Sequence, residues 1–108
     1  MVMHNWGRHL LALWISATLA ALSGQNISDS RALEIVTTHC AGCHAAQPVN
    51  TAFSAPPGGV VLDNLDAVRR HGGQVLAQSV TSQAMPLGNT TGMTAPERAE
   101  LGLWLKAQ

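Results

Sequence analysis

The sequence predicts a small all-α domain behind a short apolar leader, and three observations carry that expectation. Apolar residues recur at helical spacing in two well-separated stretches, near residues 29–40 and 95–107. No stretch of any length alternates apolar and polar residues as a half-buried strand does. The intervening segments are punctuated by Pro and Gly, with no internal repeat and no low-complexity tract.

The first segment, residues 1–23, stands apart from the domain. Arg8, flanked by His4 and His9, precedes an apolar run from Leu10 to Leu22 that only Ser16 and Thr18 interrupt. Crossing hydrocarbon comfortably takes about 20 residues, so this shorter run reads as a secretory signal peptide. Ala21 and Ser23 supply the small residues of a cleavage site. A retained N-terminal membrane anchor is the alternative. The domain proper then covers residues 24–108 and belongs in the periplasm or is otherwise exported.

Within that domain, Ser28 precedes Ala32, Ile35, Val36, His39 and Cys40, an amphipathic pattern that predicts a helix over about 29–40 with Cys40 at its C-terminal end. Residues 47–59, QPVNTAFSAPPGG, contain too many Pro and Gly for a regular element and form a loop long enough to wrap something. Asp63 is the expected N-cap of a short helix ending near His71. Beyond Gly72-Gly73 a second short helix carries Val75, Leu76 and Val80. Residues 84–93, AMPLGNTTGM, are again a loop. Thr94-Ala95-Pro96-Glu97 has the form of a capping box, and Leu101, Trp104 and Leu105 make one apolar stripe behind it, predicting a terminal helix over about 95–107.

Composition excludes several function classes. Six Lys+Arg balance six Asp+Glu, and Arg8 is the only Lys or Arg in the leader, so the domain is nearly neutral. Neither a basic face for nucleic acid nor a polybasic membrane patch is present. No Ser-His-Asp set, carboxylate pair or phosphate-cradling glycine loop offers independent catalysis. At about 85 residues a purely proteinaceous core is marginal. After residue 24 the only aromatic side chains are Phe53 and Trp104, so some staple is expected to fill the centre.

Both cysteines fall in Cys40-Ala41-Gly42-Cys43-His44, the pattern by which c-type haem is attached. Two intervening residues let both sulfurs reach the two vinyl groups of one porphyrin, and the next residue offers an imidazole to the iron. Three other readings compete. A thioredoxin-like pair belongs at a helix N-terminus after a strand, whereas this motif follows a helix. A disulfide across so short a loop constrains little of the unfolded chain. Zinc needs further ligands, and no second cluster supplies them.

The second axial ligand comes from Met85, Met93 or His71. Met85, 41 residues beyond His44 and followed by Pro86, lies in a loop able to cross the far haem face and is the first choice. Met93 is the second, although core packing is the commoner role of methionine. His71 reads as a solvent-facing residue near a helix C-terminus, and Arg69-Arg70 as a solvated helix face rather than a propionate clamp. Asn89-Thr90-Thr91 fits a glycosylation acceptor, a pattern that chance produces often.

Through these residues the chain resembles the class I cytochromes c. It is similar in particular to the C-terminal cytochrome c domain of the bacterial membrane-bound urate oxidases. The similarity rests on Cys40-Ala41-Gly42-Cys43-His44, on Gly59-Val60-Val61-Leu62-Asp63, and above all on residues 84–94, AMPLGNTTGMT, and spans about 33–106. It implies N- and C-terminal helices packed together around one covalent haem c, with Cys40 and Cys43 as tethers and His44 and Met85 as axial ligands. It further implies an electron carrier rather than an enzyme, exchanging single electrons with a redox-protein donor and acceptor on the way to the respiratory chain. No small-molecule substrate at the iron and no nucleic acid are expected. In that family several transmembrane helices precede the haem domain, whereas one apolar segment precedes it here. The alternative is therefore a cytochrome subunit or detached haem domain of a membrane-bound oxidoreductase of that kind, without urate oxidation being carried over. A haem sensor or peroxidase with an open distal site, and a thiol-disulfide protein, are the remaining readings.

Overall fold

The computed structural model describes residues 26–108, so the leader at 1–23 lies outside the described residues. Helix α1 (Asp29–His39) begins at Ser28, whose hydroxyl accepts from the Arg31 amide at 3.1 Å. This satisfies one of the amides that a helix start leaves unpaired. Its buried face is Ala32, Ile35, Val36 and His39, the stripe that the sequence spacing marks. A long loop with one 3₁₀ turn (Pro57–Gly59) leads to α2 (Leu65–Arg70) and α3 (Gly72–Val75). The chain then widens into a π-helical segment, Leu76–Thr81. After a second 3₁₀ turn (Leu87–Asn89), helix α4 (Ala95–Lys106) closes the fold. No strand occurs among the described residues, and the architecture is all-α.

Two local expectations need correction. Asn64, not Asp63, caps α2, its side-chain oxygen accepting from the Ala67 amide at 2.9 Å. Asp63 instead accepts from the Ala46 amide at 3.0 Å, tying the segment after His44 to the approach to α2. The second short helix includes Gly72-Gly73 instead of starting beyond them. Helix α3 starts at Gly72, and the change of direction falls on His71, at φ −100° and ψ 14°.

The capping box of α4 is complete, with Thr94 and Glu97 each accepting from the other's backbone amide. Helices α1 and α4 pack together around one core in which Ile35, Val36, Val68, Leu101 and Trp104 are the largest fully buried side chains. Burial of each contributes about 1.5–3 kcal/mol relative to exposure. Three polar links cross this seam: Arg31 Nε to Glu100 at 2.7 Å, Trp104 Nε1 to Asp29 at 2.9 Å, and His39 Nε2 to Glu97 at 2.8 Å. On its other side α4 approaches the π segment closely. A Cβ on Gly102 would stand 3.1 Å from Val80 Cγ1, so the absence of a side chain there sets the distance between the two elements.

Candidate haem-attachment site

The Cys40–His44 turn grows directly out of α1. The Cys40 amide donates to the Val36 carbonyl at 2.8 Å, and the Cys40 carbonyl accepts from His44 N–H at 2.9 Å. One tight turn therefore carries two thiols and an imidazole. The loop beyond folds back on it: Asn50 N–H reaches the Gly42 carbonyl at 3.0 Å, and Asn50 Nδ2 lies 3.5 Å from Cys43 Sγ. Cys40 and Cys43 are unpaired and half-buried. Burial pushes the Cys40 thiol up to about 11, so it is protonated at neutral pH. That is the opposite of the depressed pKa by which a dithiol redox pair is activated.

His44 is fixed from one side only. Its Nδ1 stands 3.0 Å from the Val60 carbonyl oxygen. Because a carbonyl only accepts, Nδ1 must carry the hydrogen, and Nε2 of the neutral ring keeps its lone pair. The same segment holds the backbone, with Leu62 N–H donating to the His44 carbonyl at 2.6 Å and Asp63 accepting from Ala46. Residues 60–63 thus form a splint along 44–46.

Met85 lies on a separate segment. Its amide donates to the Gln78 carbonyl at 2.9 Å and its carbonyl accepts from Arg98 Nη1 at 2.7 Å, so its peptide is anchored to the π segment and α4 rather than to the Cys40–His44 turn. Its side chain is half-buried, whereas Met93 is 4 % exposed and belongs to the hydrophobic core. Met93 has the packing role, and its backbone is held on both sides by the Asn89 side chain, at 2.9 and 3.1 Å. Asn89 is therefore occupied with turning the 85–93 loop, at φ 47°.

Two buried polar residues near the site were not singled out by motif. His39, next to Cys40, donates from Nε2 to Glu97 and bonds Thr91 through Nδ1, both at 2.8 Å, joining α1, the Met85–Met93 loop and α4. The Thr94 amide and then His39 hold the Glu97 carboxyl down to about 2. Arg98 is 8 % exposed. Both positions lie on the apolar stripe of their helix, which was the available signal. Of the pair Arg69-Arg70, Arg69 is engaged with Asp29, Asp66 and Gln108 and lies over Trp104, 5.3 Å from the ring centroid.

As a donor set, two unpaired thiols on one turn, an imidazole with a bare Nε2 and a half-buried thioether suit a porphyrin iron tethered by thioether links. Among the described residues no three His, Cys, Asp or Glu side chains converge on a common metal position. Compared with known proteins, the chain matches no family model, no curated protein and no solved structure.

Proposed function

We propose that this chain is a single-haem c-type cytochrome, an electron carrier between redox proteins outside the cytoplasm. One observation carries the reading: the residue immediately after two unpaired thiols is an imidazole whose Nδ1 is committed to the Val60 carbonyl, leaving Nε2 as a ligand. Haem bound there supplies a one-electron iron couple. The residues around it have distinct tasks. Cys40 and Cys43 tether, with Ala41 and Gly42 small enough for close approach of the backbone to the macrocycle. Val60 fixes the rotation and the tautomer of the His44 ring, as a partner on the far ring nitrogen generally does. Met85 provides a soft thioether that favours the reduced state. His44 and Met85 together would hold the iron, leaving no position there for a small-molecule substrate.

The test is expression with a haem-maturation system, followed by optical spectra. The wild type is expected to show the weak thioether-to-ferric-iron band at the red end of the spectrum, absent in Met85→Ala and retained in Met93→Ala. A wild-type spectrum of five-coordinate iron would replace the carrier reading with a sensor or peroxidase. Loss of the band in Met93→Ala alone would overturn the ligand assignment.

A further inference from the structure

We propose that Arg98 is the positioning residue for Met85: its buried guanidinium clamps the Met85 carbonyl to the end of the π segment and so sets where the thioether sits. This rests on Met85 being the second axial ligand. Arg98 lies three residues before Leu101 and seven before Leu105, on the buried face of α4. A guanidinium taken out of water is costly unless its donors are satisfied. Arg98 makes no ion pair with any carboxylate among the described residues. Its donors go instead to the Ser79 carbonyl at 2.6 Å, the Met85 carbonyl at 2.7 Å and, more distantly, Asn89 Oδ1 at 3.5 Å.

The Gln78 and Ser79 carbonyls are available for a structural reason. A helix end leaves its last carbonyls without intrahelical partners, and the π segment ends here with Ser82 N–H returning to Ala77. The Met85 amide takes the Gln78 carbonyl and Arg98 takes Ser79, so both ends of the Met85 peptide are tied to consecutive residues of that last turn. Asn89 extends the hold by bridging Arg98 to the Met93 backbone. A residue chosen only to pack α4 would be Leu or Met, with no desolvation cost. One chosen only for charge would face water. Nη1 donates to both carbonyls while Nη2 faces Asn89 Oδ1, so the guanidinium reaches three acceptors from two nitrogens, which the single nitrogen of Lys reproduces only in part.

The experiment compares haem-loaded wild type, Arg98→Met and Arg98→Lys by amide hydrogen exchange, by the thioether–iron band and by reduction potential. In Arg98→Met, exchange across 85–93 is expected to accelerate about tenfold or more, the factor that loss of roughly one hydrogen bond implies, while α1 is unchanged. The band weakens and the potential falls, because Met ligation is what raises it. Arg98→Lys recovers part of the band, and it decides the matter if Arg98→Met fails to accumulate. Unchanged loop exchange and an unchanged band in both variants would overturn the proposal. Equal acceleration in α1 would also overturn it, since Arg98 would then support the whole core. A wild type lacking the band, but with a loop freed in Arg98→Met, would sink the ligand reading while upholding the clamp.

Discussion

The α1–α4 seam and the segments that carry the candidate ligands are closed to different degrees. At the seam Ile35, Val36, Leu101 and Trp104 are fully buried, and charged or polar atoms crossing it are paired. Along the segments 40–63 and 85–93, Leu62 and Met93 join that core, but Cys40, Cys43, His44, Phe53, Val60 and Met85 are only half-buried. In so small a domain, with few bulky side chains to spare, the contrast teaches that protein atoms finish one half of the interior, whereas on the proposed function a haem completes the other. Stability and redox function are then separable by mutation.

The largest expected effect strikes the seam. Trp104→Ala removes a buried indole and its bond to Asp29, and should cost about 3–5 kcal/mol in urea unfolding. Next is Gly102→Val, which forces side-chain atoms into Val80 and should cost about 1–3 kcal/mol by overpacking. Glu97→Gln sharpens the comparison through pH. The Glu97 carboxyl titrates at about 2 in the folded chain against 4.5 ordinarily, held down by the Thr94 amide and His39. In between, the unfolded state binds more protons, so the contribution of Glu97 is complete above 4.5 and is lost as pH falls towards 2. The variant should be about 0.5–1.5 kcal/mol less stable at neutral pH, with a flatter loss of stability between pH 4.5 and 2. Smallest is Glu34→Gln, which breaks an exposed i,i+3 pair with Arg31 and should fall within about 0.5 kcal/mol.

Sequence reading went furthest where the signal is local. The Thr94–Glu97 capping box and the start of α1 after Ser28 are decided by residues within four positions of one another and appear as read, whereas each Pro- and Gly-marked loop holds one 3₁₀ turn, Pro57–Gly59 and Leu87–Asn89. Asp63 and Asn64 are adjacent and equally good caps, so only the tertiary bond from Ala46 to Asp63 distinguishes them. The π widening at Leu76–Thr81 has no sequence marker. The Cys40–His44 segment was legible because the proposed chemistry, c-type haem attachment, fixes that spacing. Its support was not: the Val60 carbonyl is a backbone group that any residue could supply, and His39–Thr91, His39–Glu97 and Arg98–Ser79 join residues 52, 58 and 19 apart.

The central claim is that Cys40 and Cys43 hold a haem covalently, and intact mass under denaturing conditions tests it most directly. Exported wild-type protein should carry the added mass of one haem through denaturation and acid, and Cys40→Ser/Cys43→Ser should not. A folded, exported wild type with the mass of the polypeptide alone would contradict the account.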